Sequence, residues 1–124
     1  MLHVTHIARV DIAVHDRDEA IAFYTNTLGF TLVVDTPFGD NKRWVEVAPP
    51  SGGVSIALGE PSEVLHAGRL TGIVLRSTDA RSDHAILKTA QADVGDLIGG
   101  GGDIPLLFFV SDPSGNQLMV MEEQ

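Results

Sequence analysis

The chain of 124 residues is predicted to be α+β, with the order strand, helix, strand, strand, strand occurring twice. Three observations carry this. Short runs of apolar residues alternate with polar ones at a period of two. Two aspartates, Asp16 and Asp79, each precede an amphipathic helical stretch. Turn clusters rich in Gly, Pro, Asp and Asn separate the runs. At roughly 100 to 200 residues per domain, the length suits one domain. Residues 1–124 are therefore read as one domain, with a module over about 4–58, a connector over about 59–70 and a second module over about 71–122.

The first strand is expected over Ile7 to Val14, where Val10, Ile12 and Val14 share one face and Arg9, Asp11 and Ala13 the other. Asp16 is placed to cap a helix, with Glu19 at the third position to reach back. Ala20, Ile21, Phe23, Tyr24 and Leu28 then recur at helical spacing, and Gly29 is placed to end about three turns of helix. Phe30 to Asp35 alternates again, and Pro37 to Asn41 reads as the turn of a hairpin. Lys42 to Ala48 sets Val45 and Val47 opposite Trp44 and Glu46, and Val54, Ile56 and Leu58 alternate in the fourth strand.

After the connector, Ile73 to Leu75 reads as a strand and Asp79 stands where Asp16 stood. Ala85, Ile86, Leu87 and Ala90 give a shorter amphipathic helix. Val94 to Ile98 is a candidate strand, Gly99 to Gly102 a loop, and Pro105 to Ser111 and Gln117 to Met121 the last two strands.

Composition narrows the function classes. Hydrophobic residues are 44% and charged residues 20%, enough for a packed core. Eight Lys and Arg against seventeen Asp and Glu give a formal charge of −9, which repels phosphate backbones and anionic membrane surfaces. Neither nucleic acid nor a membrane is an expected partner. With no cysteine there is no disulfide, thiolate nucleophile or Cys-based metal site. The opening residues lack the basic region and apolar run of a signal peptide, so a cytoplasmic location is expected.

The element order, taken with Asp16, Ala22-Phe23-Tyr24, Leu28-Gly29-Phe30 and the closing Asp112-Pro113-Ser114-Gly115-Asn116, resembles the vicinal oxygen chelate superfamily of glyoxalases, bleomycin-resistance proteins and extradiol dioxygenases. The resemblance covers nearly the whole chain. Its two motifs are specific together and weak apart, because Asp-Pro-Ser-Gly-Asn is also a good generic turn. It implies two tandem βαβββ modules whose curved mixed sheets surround a cavity, with the helices on the other face. By strand parity the cavity face then carries Arg9, Asp11 and Ala13, Trp44 and Glu46, Leu107 and Phe109, and Gln117, Met119 and Met121.

Enzymes of this superfamily hold a divalent metal with His, Glu or Gln from the first, fourth, fifth and eighth strands. Seven positions before Asp16 stands Arg9, a permanent cation, and seven before Asp79 stands Gly72. The fourth strand offers Ser55 and Ala57, and the last strand Met119, a soft thioether. The family's ligand positions therefore fall on Arg9, Ser55, Gly72 and Met119, and no metal or other cofactor is expected. The histidines do not replace them. His3 and His6 point to opposite faces of an extended strand, and His3 lies about 20 Å from Arg9. His15, His66 and His84 fall at a corner, in the connector and on the second helix, where exposed polar or capping roles suffice.

No serine-nucleophile elbow, His-Glu-x-x-His or phosphate loop is present. Asp11 or Glu46 could act as a metal-free general base if burial raised its pKa; alternatively Arg9 and Asp11 form a structural ion pair. Arg9, Asp11, Trp44, Glu46, Phe109, Gln117, Met119 and Met121 are the candidate ligand-binding residues, although the methionines and aromatics could equally be core. Two functions follow: a metal-free protein binding a small, partly apolar, oxygen-containing molecule, or a glyoxalase-type lyase, isomerase or epimerase, either metal-dependent with displaced ligands or metal-free with Asp11 or Glu46 as base. A partner-binding module is a third class, and a homodimer is the family expectation.

Overall fold

The computed structural model describes residues 1–123 and divides into two compact units, Met1–His66 and a second beginning at Ala67. Each has the βαβββ order, and each builds a four-stranded mixed sheet, so the predicted class is found. No described helix is long and apolar enough to cross a membrane.

In the first unit β1 is Arg9–Ala13, α1 Arg17–Ala22, β2 Thr31–Pro37, β3 Arg43–Ala48 and β4 Ser55–Gly59, with sheet order β1-β4-β3-β2. Strand β1 runs parallel to β4, and the other pairs are antiparallel. Asp16 caps α1 by accepting from the Glu19 N–H at 3.1 Å. The expected three turns of α-helix are only partly α. From Phe23 to Thr27 the coil widens into a π-helix. There the Thr25 hydroxyl donates to the Ile21 carbonyl at 2.7 Å, and the Leu28 N–H reaches the Phe23 carbonyl at 3.0 Å. The segment buries the adjacent Phe23 and Tyr24 together, their rings edge-on at 5.2 Å. Phe30, whose ring lies 5.8 Å from that of Tyr24, is buried with them, as is the sheet set Ile12, Val45, Val47, Ile56 and Leu58.

Two details shape this sheet. Register slips between Leu32 and Val34 of β2, leaving Val33 as an extra residue and bringing Val34 opposite Glu46 and Thr36 opposite Trp44. Ala13, expected on the cavity face, is fully buried. Its register partner is Gly59, and the connector side chain Leu65 comes within 3.9 Å of where a Cβ on Gly59 would stand.

In the second unit β5 is Leu70–Ser77, α2 Ala80–Thr89, β6 Asp93–Val94, β7 Leu107–Ser111 and β8 Gln117–Glu122, in sheet order β5-β8-β7-β6. Asp79 caps α2 through the Ser82 N–H at 3.0 Å. The strand expected over Val94 to Ile98 is shorter, and Ile98 returns as an isolated bridge to Leu107. Leu87, Leu106, Phe108, Val110, Leu118 and Val120 form this unit's core.

The Asp112 to Asn116 turn is a hydrogen-bonded lock. Asp112 Oδ1 accepts from the Ser114 and Asn116 N–H groups, both at 2.9 Å, and Asn116 Nδ2 donates to Asp112 Oδ2 at 3.0 Å. Asn116 Oδ1 in turn accepts from the Gly68 N–H at 3.0 Å, tying the entry of β5 to that of β8. Gly115 is required here, because a Cβ would come within 3.3 Å of the Gly68 backbone and its φ is +83°.

Candidate functional site

The first sheet presents one site by alternation alone. While Val45 and Val47 enter the core, Trp44 and Glu46 emerge on the opposite face. On that same face Arg9 is the register partner of Ser55, and Asp11 that of Ala57. Glu46 lies across from Ala57 and within reach of Ser55.

Both oxygens of Glu46 are used. Ser55 Oγ donates to Oε1 at 2.6 Å, and Trp44 Nε1 donates to Oε2 at 2.5 Å. The Ser55 hydrogen bond, then that of Trp44, holds the Glu46 carboxyl below the usual carboxylate range; the Arg9 charge adds to this and burial opposes it. The Arg9 guanidinium lies over the Trp44 ring, its central carbon 4.8 Å from the centroid. Arg9 Nε is 3.4 Å from Asp11 Oδ1.

A cavity of about 350 Å³ opens here, walled by Arg9, Asp11, Trp44 and Ala57. The hairpin turn between β2 and β3 contributes Phe38 and Lys42, and Phe38 meets Trp44 edge-on at 6.0 Å. Arg17, Arg43 and Glu60 also line the cavity. Arg43 donates to Asp35 at 2.7 and 2.9 Å and to Asp18 at 2.7 Å, fastening β3 to β2 and α1. These bonds lower the Asp35 carboxyl and raise the Arg43 guanidinium. Arg17 pairs with Glu60 at 3.0 Å, while its Nε is buried without a hydrogen-bond partner among the described residues.

The general-base reading required burial to raise a carboxyl. The direction at Glu46 is the opposite. The Asp11 side chain is 60% exposed and paired with Arg9, so it lacks the burial that reading required.

Arg9 and Ser55 do share a cross-strand position, as two of the family's metal-ligand positions would. A guanidinium has no lone pair to give, and the Ser55 hydroxyl is committed to Glu46. In the second unit Gly72 falls in an irregularity of the β5–β8 ladder, between the pairs Leu70–Gln117 and Val74–Met119. Its φ of +77° suits glycine and disfavours any residue with a side chain. Among the described residues no three His, Asp or Glu side chains are grouped as a metal would need. His84 Nε2 donates to the Gly95 carbonyl at 2.8 Å, and its ring meets Phe108 edge-on.

The remaining candidates share one face of the second sheet. Phe109 and Val74 flank Met119, while Leu107 and Arg76 flank Met121. Gln117 lies opposite Ser111 at the end of the strand. Leu118 and Val120 point the other way into the core, so the methionines are half-buried and not core. The residues that the sequence reading missed are the cavity's Arg17, Phe38, Lys42 and Arg43, and Ser55 as the partner of Glu46. Lys42-Arg43, adjacent cations after a turn in an acidic chain, was the available signal.

Comparison with known proteins places this geometry. TnmS3, an antibiotic-binding protein from Streptomyces sp. CB03234, is 28% identical with a TM-score of 0.87, and the match covers 100% of both chains. A glyoxalase/bleomycin resistance protein/dioxygenase superfamily member from Sphaerobacter thermophilus is 31% identical with a TM-score of 0.88, over 98% of this chain and 100% of that one. An uncharacterized protein of Shewanella frigidimarina is 50% identical over 62 residues, 48% of this chain and 44% of the relative. The chain spans less than half the length of the curated relatives it matches. The family model for the Glyoxalase/Bleomycin resistance protein/Dioxygenase superfamily matches residues 3–120, and the chain belongs to that superfamily.

Proposed function

We propose that this protein binds a small, partly apolar, oxygen-containing molecule against the Arg9–Trp44 wall of the first unit, without a metal ion. The observation that carries this reading is the fixed indole. Trp44 is 36% exposed at a cavity of about 350 Å³, and Glu46 and Ser55 hold its orientation from behind. A flat aromatic surface with a few placed polar groups is what a small-molecule pocket needs. The likeness to an antibiotic-binding protein over the whole chain supports it.

The metal-dependent alternative is disfavoured by the donor set: a guanidinium, a committed serine, a backbone-constrained glycine and a thioether. The metal-free base is disfavoured by the lowered Glu46 carboxyl and the exposed, paired Asp11. The half-buried Met119–Phe109 row of the second sheet is an additional apolar surface for ligand. A cytoplasmic homodimer with no nucleic-acid or membrane partner is the setting that charge and family suggest.

Trp44 is the single tryptophan, so its emission reports on this wall alone. Titration with a panel of fused-ring aromatic ketones and phenols is expected to give saturable quenching with at least one class. Unchanged emission across the panel, with a nickel, zinc or manganese ion instead producing a saturable response, would reverse the reading.

A further inference from the structure

The cavity's charge is unlike that of the chain. The protein carries −9 overall, yet Arg9, Arg17, Lys42 and Arg43, four of its eight basic residues, line this one cavity, against two acidic lining residues, Asp11 and Glu60. Long-range repulsion disfavours an anion anywhere on such a surface, so a local concentration of cations marks where one would be accepted. The cations are not equally free. Arg43 is saturated by Asp18 and Asp35, and Arg17 is held by Glu60. Lys42 has no ion pair among the described residues, and the charged partner of Arg9 is Asp11, on its Nε side. The terminal nitrogens of Arg9 make no hydrogen bond to another described residue, while its central carbon lies over the Trp44 ring, 4.8 Å from the centroid.

A guanidinium held over an aromatic ring, with its terminal nitrogens uncommitted, is preorganised for a planar pair of oxygens, which it binds with two parallel N–H donors. Trp44 and Phe38 offer aromatic surface beside it. We infer that the ligand is an aromatic carboxylate, its carboxylate on the terminal edge of Arg9, its rings against Trp44 and Phe38, with Lys42 as a second, mobile cation. This rests on the binding reading above and adds the charge class of the ligand. Glu46 is then a positioning residue, setting the indole plane that supports Arg9.

Calorimetric titration of the full chain with 2-naphthoate and with the isosteric neutral 2-naphthamide at pH 7 separates the possibilities. Naphthoate is expected to bind at least about tenfold tighter, a factor typical of one charge-assisted interaction. Added salt should weaken naphthoate and leave naphthamide unchanged. Arg9→Gln should bring the two ligands within about threefold. Arg9→Lys, which keeps the charge without the planar fork, should keep only part of the preference, and Lys42→Gln should reduce it modestly. Equal binding of the two ligands would overturn the carboxylate assignment and leave small-molecule binding standing. A naphthoate preference that survives in Arg9→Gln would overturn the role of Arg9. No heat with either ligand at millimolar concentration would count against the binding reading itself.

Discussion

Trp44 and Glu46, two residues apart on β3, are joined by an indole N–H donated to the carboxylate at 2.5 Å, with Ser55 holding the other oxygen at 2.6 Å. The Glu46 carboxylate, a candidate general base by sequence, here accepts from an indole and a hydroxyl and so orients a tryptophan.

Acid should release that tryptophan. A carboxyl whose folded pKa is depressed adds stability that is present above its unfolded pKa, about 4.3, and lost as pH falls through the lower folded value. Trp44 emission is therefore expected to be flat from pH 8 to 5 and to change only below the ordinary Glu range. In Glu46→Gln the step should vanish, and Trp44 anisotropy should fall because one strong acceptor is lost. A transition near pH 6 would mean a raised carboxyl and would revive the general-base reading.

Asn116 should be among the costliest polar residues to remove. It is fully buried, and Asn116→Ala leaves the Asp112 carboxylate and the Gly68 N–H short of partners. The expected loss is about 2 kcal/mol in urea unfolding, with melting lowered by several degrees.

Gly72→Ala tests whether the family's ligand position in β5 is free to carry a side chain. A Cβ there meets nothing within 4 Å, so the penalty is conformational and should be about 1 kcal/mol, from holding alanine at positive φ. A neutral or stabilising effect would show that the ladder relaxes easily at this point.

Core truncation should cost more than any site substitution. Phe108 is fully buried in the second unit, and Phe108→Ala is expected to lose about 3–5 kcal/mol. Loss of that size at exposed Phe38 would contradict its placement at a cavity rim.

Much of this was legible in the residues, for a physical reason. Alternation reports which face meets water, so Val45 and Val47 against Trp44 and Glu46 could be sorted before any coordinates, and Asp16 and Asp79 mark their helices because unpaired N–H groups need an acceptor. What escaped depends on register and on local backbone choice. The π-helix, where Thr25 engages the Ile21 carbonyl, is a local backbone choice, and the irregularities at Val33 and Gly72 are set by cross-strand register. The Ser55–Glu46 bond joins two strands at a register no single-strand pattern specifies, and the basic rim is built from a turn and a helix start. The same bond lowers the Glu46 carboxyl where the general-base reading required a rise, since hydrogen bonding to the charged form outweighs burial.

The most direct measurement is the metal content of protein purified without chelator, paired with melting against nickel, zinc, manganese and anaerobic iron(II). A native-state ligand at 100 times its Kd adds about 2.7 kcal/mol, several degrees for a domain of this size. Metal-free binding predicts substoichiometric metal and no shift with any ion. One equivalent of bound metal, or a clear rise in melting temperature with a single ion, would contradict it.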